Sequence, residues 1–316
     1  MTATATPRLV STASLLGTAT LAEPEAPLPA GTPGIAGLLA RRLATDPTRP
    51  LVTFYDDATG ERLEFSAITL DNWVAKTANM LVDTLGLAPG DQIGVALPTH
   101  WLALVITLAG WSAGLEVLVI PDGPDGAGAG AGPAPADTRI GALFVAEDRI
   151  DATAALAADE TVALSLRPMG GRLLRPIPGV LDYATEVPPH GDRFAAPPAP
   201  PEQAGLVRAA VRTAASWDLT ATDRILCTAA PDTAEGLLGG LLAPLAAGAS
   251  IVLCRRLDAN ALDRRAETER VTAVLAPLDA VSSRPGTEAD DAAASGVSGW
   301  PASPAAVRVL RLPRHG

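Results

Sequence analysis

Two pairs of side chains stand just past what read as strand ends. His100 and Trp101 open a helix after the strand "GDQIGVAL" and Pro98-Thr99, and Asp232 and Glu235 follow the strand "RILCTAA". Ligands of open α/β sheets bind beyond the carboxyl ends of the strands, so these four residues are the ligand-pocket candidates. An imidazole beside an indole offers a titratable donor–acceptor and a flat apolar face to a small molecule. Two carboxylates three positions apart offer an acid and a base. Each pair also has a structural reading. Thr99 would cap the helix with Trp101 packed in the core. Asp232 and Glu235 would be first-turn acids that complement the helix dipole. Neither pair forms a catalytic constellation, so no catalytic residue and no metal ligand is assigned.

The run "GPDGAGAGAGPAPAD" (Gly123–Asp137) follows an apolar strand and poses the question of a phosphate loop. Gly126, Gly128 and Ala131 satisfy the loose dinucleotide spacing. That spacing holds a phosphate only when a helix starts directly behind it and aims its N–H groups at the ligand. Here Pro133 and Pro135 follow, and no Lys does, so a flexible insertion is expected. "GVSGW" (Gly296–Trp300) approximates a nucleophile elbow but sits in a loose tail. Asp56, Asp57 and Glu61 imitate a metal cluster, but a solvated hairpin turn over Asp57–Gly60 explains them by backbone preference. Lys76 is the only lysine among 24 basic residues, so any lysine chemistry has one candidate. Cys227 and Cys254 are expected as buried free thiols, and His100, His190 and His315 are too scattered for a zinc site.

The elements that must position these groups come from a chain with 48% hydrophobic but only 3% aromatic residues. Its core is therefore aliphatic. A net charge of −11 argues against nucleic acid or an anionic membrane as partner. The apolar runs are shorter than the roughly 20 residues a membrane helix takes. The N-terminal "RLVSTASLLGTATLAEP" is too interrupted for a signal peptide, and a cytoplasmic location is expected.

Residues 1–33 read as a disordered leader, and 34–190 as a first α/β subdomain with a flexible insertion at 121–138. Within it, Ser66 is expected to cap a helix whose apolar face is Leu70, Trp73, Val74, Thr77, Leu81 and Leu85, closed by Gly86. Residues 191–203 form a Pro-rich linker, 204–280 a second α/β subdomain, and 281–316 a disordered tail. Strand–helix–strand order with short joints predicts parallel, right-handed crossovers. The fold class is α/β, with layered, mostly parallel sheets and flanking helices.

"LGLAPGDQIGVALPTHWLALVITLAGWSAGLEVLV" (Leu85–Val119) resembles the N-terminal domain of the AMP-binding superfamily: acyl-CoA synthetases, luciferases and peptide-synthetase adenylation domains. The shared features are the Gly-ended helix, the "GD-x-V/I" turn, the strand closing on "LP" and the "AG" joint. "LTATDRILCTAAPDTAEGLLGGLLAPLAAGASIVLC" (Leu219–Cys254) resembles that family's "DR-x-L" strand, "PL-x-x-GA" helix and following strand. "ERVTAVLAP" (Glu269–Pro277) resembles its "VT" strand. "LVTFYDDATGERLEFSAITLDNWVAKTANMLVDTLGLAPGD" and "VALSLRPMGGRLLRPIPGVLDYATEV" resemble a small actinobacterial family of uncharacterised, shortened relatives. The resemblance spans about residues 34–280 and implies an incomplete adenylate-forming fold.

The resemblance also implies where ATP chemistry should sit. The superfamily holds ATP phosphates in a Ser/Thr/Gly-rich loop ending Pro-Lys-Gly. The corresponding segment here, "RFAAPPAPPEQAGLVRAA" (Arg193–Ala210), has no Ser, Thr or Lys, one Gly and four prolines. Prolines remove the N–H donors such a nest needs. The family's Tyr-Gly-x-Thr-Glu element is not found after Pro277, and "APDTAEG" (Ala230–Gly236) replaces its aromatic and His. A non-catalytic binding or scaffold protein is expected, with no cofactor and with a small acyl or nucleotide compound as its ligand class. The alternative is an acyl-adenylate-forming ligase component, with ATP and Mg, completed by a separate chain. Apolar surface or a sheet edge left uncovered by the shortening predicts self-association or a protein partner.

Overall fold

The computed structural model describes residues 9–22, 34–120, 139–275 and 307–312. Strands β1 (Val10–Ser11), β4 (Gln92–Ala96), β5 (Glu116–Val119), β6 (Ile140–Ala146), β7 (Ala158–Leu164) and β8 (Leu181–Asp182) form a first sheet. Its spatial order is β1–β5–β4–β6–β7–β8. Strands β2 (Pro50–Asp56), β3 (Glu61–Ser66), β9 (Arg224–Cys227), β10 (Ser250–Arg255), β11 (Ala273–Leu275) and β12 (Arg308–Leu310) form a second. Its order is β12–β11–β9–β10–β2–β3. All neighbours run parallel except β1 with β5 and β2 with β3. The central strands are apolar almost without break, as parallel strands covered on both faces must be.

The helices are α1 (Thr12–Ala22), α2 (Ile35–Thr45), α3 (Ala67–Asn79), α4 (Trp101–Ser112), α5 (Ile150–Thr153), α6 (Tyr183–Glu186), α7 (Pro201–Ser216), α8 (Ala243–Ala247) and α9 (Leu262–Thr268). A π-helical turn, Met80–Thr84, extends α3, and a π-helical segment, Glu235–Leu242, leads into α8. Ser66 caps α3 as expected, its Oγ accepting from Thr69 N at 3.2 Å. Leu70, Val74, Thr77 and Leu81 are buried, and Trp73 and Leu85 pack partly buried against them. The α4 helix lies between the sheets with every residue buried. Against the first sheet, a Cβ on Gly110 would stand 2.7 Å from Ile93 Cδ1 and 2.9 Å from Val117 Cγ2. Against the second, the Trp101 ring lies 4.7 Å from that of Phe65.

Four expectations change. The two subdomains are interleaved, because the β2–β3 hairpin leaves the first segment and joins β10 of the second through five paired residues, Val52–Asp56 with Ile251–Arg255. The leader holds β1, which pairs with β5, and α1, which packs against α7. The tail contributes β12, whose three residues complete the ladder beside β11. The Pro-rich linker is shorter, since α7 starts at Pro201, and proline is well suited to a first helical turn. The glycine run and "GVSGW" lie outside the described residues. Both cysteines are free and buried on opposite faces of the second sheet. Cys227 belongs to the core between the sheets and Cys254 to the cluster on the far side. Burial pushes their thiols up, to about 12 and about 11. Among the described residues no helix is long and apolar enough to cross a membrane.

Candidate functional site

His100 ends the extended chain leaving β4, and its backbone sits at φ −160°, ψ 149° before the helical turn begins. That conformation is the N-cap geometry. His100, not Thr99, provides the cap: its Nδ1 accepts from Leu102 N at 3.2 Å. The ring is fully buried, 4.8 Å from the Phe54 ring on β2. Burial, aided by the Arg255 charge and opposed by Asp56, lowers its pKa to about 3. The imidazole is therefore neutral. With Nδ1 accepting, the proton sits on Nε2, which has no hydrogen-bond partner among the described residues. Trp101 packs against Phe65, Trp73 and His100 as a core residue, and its buried Nε1 has no partner there either.

Charged groups converge on the same strand ends. Asp56 closes β2 and is in register with Arg255, which closes β10. The next residue, Arg256, has a left-handed φ of 49° that turns its side chain back. Its Nε donates to Asp56 Oδ1 at 2.9 Å and its Nη2 to Oδ2. Arg255 Nη1 reaches Asp56 Oδ2 only at 3.5 Å. Burial alone would raise the Asp56 pKa, but the two guanidiniums outweigh it and hold the carboxyl below its ordinary range. Glu61 is buried and accepts from Met169 N at 2.6 Å. This contact draws the loop after β7 onto Trp101, where Gly170 has φ +65° and a Cβ would stand 3.4 Å from the indole Cζ2. Asp57 is bound by Arg265, with Nη1 at 3.1 Å. The three acids expected in a solvated turn are thus engaged by arginines and a backbone N–H. Among the described residues no group of His, Cys, Asp and Glu is placed to hold a metal ion.

Asp232 and Glu235 are placed elsewhere. They follow β9, which β10 separates from β2. The polar cap of that turn is Thr233, whose Oγ1 donates to Ala230 O at 2.7 Å and accepts from Gly236 N at 3.0 Å. Asp232 is buried and Glu235 half-buried. The structure brings His100 and Trp101 together and leaves the acid pair on a different strand end.

Two polar residues fix the segment that leads into α7. Lys76 Nζ sits 2.7 Å from Asp192 Oδ1 and donates to His190 O at 2.5 Å. Gln203 is buried in the first turn of α7, where its Oε1 accepts from Ile35 N at 3.0 Å and its Nε2 donates to Trp111 O at 2.7 Å. One side chain thereby joins α2, α4 and α7. At the amino ends of β4, β6 and β7 an open groove of about 870 Å³ is lined by Gln92, Arg139, Asp159 and Glu160 among others. None of the sequence-derived candidates lines it.

No protein-family model matches the chain. A protein of Mycobacterium tuberculosis described as a TIGR03089 family protein is 40% identical over 248 residues, 75% of this chain and 96% of that protein. Among solved structures, an acetoacetyl-CoA synthetase from Streptomyces lividans superposes with TM-score 0.61 at 20% identity, over 79% of this chain and 43% of its own. The anthranilate CoA ligase AuaEII in complex with anthranoyl-AMP gives 0.59 at 16%, over 77% and 49%. A Brucella canis acyl-CoA synthetase gives 0.61 at 17%, over 80% and 49%. The chain spans less than half the length of these solved proteins. At such identities the likeness shows the fold, that of the N-terminal domain of adenylate-forming enzymes.

Proposed function

The chain belongs to the TIGR03089 family, and from that premise we propose that it is a binding or scaffold protein that uses the adenylate-forming fold without adenylating. One observation carries the reading. The interior segment 193–210, where the superfamily keeps its phosphate loop, is spent on structure: four prolines, then Gln203 clamped to Ile35 N and Trp111 O. Lys76, the only lysine in the sequence, is likewise spent on holding the 188–192 backbone and Asp192. Neither group is available to a nucleotide without breaking a contact that joins helices or loops.

Calorimetric titration with ATP·Mg and with a non-hydrolysable acyl-adenylate analogue tests the proposal. Silence toward ATP·Mg is the expected result. Analogue binding in the absence of ATP assigns the ligand to the acyl or nucleotide class, and silence toward both supports the scaffold role. Tight ATP·Mg binding overturns the proposal and restores an enzymatic reading. One observation favours a second reading: the chain matches only 43–49% of each solved synthetase. In that reading a partner chain supplies the remaining parts of a ligase, and ATP–pyrophosphate exchange appearing only on mixing with such a partner would establish it.

A further inference from the structure

We infer that the carboxyl ends of β4, β2 and β10 form a site for a small oxyanion, held by the Arg255 guanidinium and the Nε2–H of His100 at the start of α4. This rests on the binding reading above and names the chemistry of its ligand. The placement follows from strand periodicity. Side chains two apart on a strand share a face, so Phe54 and Asp56 of β2, and Leu253 and Arg255 of β10, face the same way. Phe54 and Leu253 lie in the core between the sheets, and Phe54 meets the His100 ring at 4.8 Å. Arg255 therefore stands one side-chain repeat, about 7 Å, beyond that contact, at the strand ends.

Donors exceed acceptors there. Arg256 occupies both oxygens of Asp56, which leaves Arg255, among the described residues, a single 3.5 Å side-chain contact for its five N–H donors. Its side chain is 16% exposed, so the remaining donors are within reach of solvent. Within electrostatic reach of it, the His100 Nε2–H is buried and has no acceptor among the described residues, which costs free energy until an acceptor arrives. The α4 amino terminus adds its partial positive charge. Asp148 and Glu61 also act on Arg255, although neither forms an ion pair with it, and Glu61 is bound to Met169 N. These acids favour one negative charge over two on the ligand. A carboxylate and a singly charged phosphate group share that chemistry.

The full chain, with ¹⁵N-labelled histidine, is titrated separately with sodium acetate, sodium phosphate and sodium chloride while the His100 Nε2–H resonance is followed. A saturable shift with acetate or phosphate but not with chloride is expected. Acetate alone marks a carboxylate ligand, phosphate alone a phosphate group, and both a general oxyanion site. Arg255→Gln should weaken the response roughly tenfold to a hundredfold, the loss of one charge-assisted hydrogen bond. Asp148→Asn, at an exposed position, should strengthen it. A resonance that ignores all three salts, or follows chloride equally, overturns the site, as does an Asp148→Asn variant that binds no better. ATP–pyrophosphate turnover would overturn the binding reading without altering this titration, so the two failures are distinguishable.

Discussion

Replacing Gln203 by Ala separates a structural clamp from a ligand cradle. The Gln203 amide accepts from Ile35 N, the first N–H of α2, and donates to Trp111 O near the end of α4. Ile35 N belongs to the four helix-start donors that have no partner inside the helix. Its loss leaves a buried donor unsatisfied, at about 1–3 kcal/mol. Trp111 O still accepts from Gly114 N at 3.1 Å, so that end loses only a net hydrogen bond, about 0.5–1.5 kcal/mol. The sum is about 1.5–4.5 kcal/mol, read as a lower urea midpoint at unchanged slope. Gly34→Ala strikes the same clamp, because its Cβ would lie 2.6 Å from Gln203 Oε1 and 2.4 Å from Ala199 Cβ. The double variant should therefore cost less than the two single effects added. Gln203→Glu keeps the acceptor for Ile35 N but aims a carboxylate at Trp111 O. Its folded pKa should rise, so relative to wild type it is stable below the ordinary Glu range and loses that stability as pH climbs through the raised value. A Gln203→Ala midpoint within about 0.5 kcal/mol of wild type, the range of an inert surface change, would refute the clamp.

Four further outcomes are expected. His100 has its folded pKa lowered to about 3, so the stability it lends is complete above the unfolded value of about 6.5 and drains as pH falls. Between pH 6.5 and 5, above the window of the Asp56 and Glu269 carboxyls, the urea midpoint of His100→Asn should fall less steeply than wild type, by up to about 1.4 kcal/mol per pH unit. Lys76→Met should cost about 1 kcal/mol or less globally, since Asp192 is exposed, yet speed amide exchange across residues 187–193. Gly236→Ala puts a Cβ 1.9 Å from Ala230 O and should cost at the upper end of the about 1–3 kcal/mol typical of overpacking, measured by thermal midpoint. Met169 and Leu174 are 75% and 78% exposed on the loop after β7, and sedimentation at micromolar concentration should show self-association; a strict monomer would count against it.

What the sequence disclosed and what it withheld divide along contact range. The β4–α4–β5 unit was legible because buried parallel strands are apolar runs and the joints carry Gly90 and Gly114, both at positive φ. The sheet that β2 joins was not, because a hairpin whose first strand is a buried apolar run looks the same beside either sheet. β1 was hidden for a different reason: two residues carry no period, and its only signature is the pairing with Leu118 and Val119. His100 and Trp101 were legible as a pair after a strand. Arg255 was not, because the strand was read as ending at Cys254, and only the period-two continuation past Leu253 could have pointed to it.

The acids at the β2–β3 turn show the same limit at the site itself. Asp56, Asp57 and Gly60 satisfy every local rule for a solvated turn, and Gly60 N does close that turn on Asp56 O at 2.8 Å. Yet Asp56 is 1% exposed, and its partner Arg256 lies 200 residues away in sequence. A carboxylate withdrawn from water that far must be paired, and because Arg256 takes both of its oxygens at close range, Arg255 keeps only a 3.5 Å contact to it and has donors to spare. The turn was readable from its own residues, whereas the excess of donors beside it exists only because two distant strands end in register.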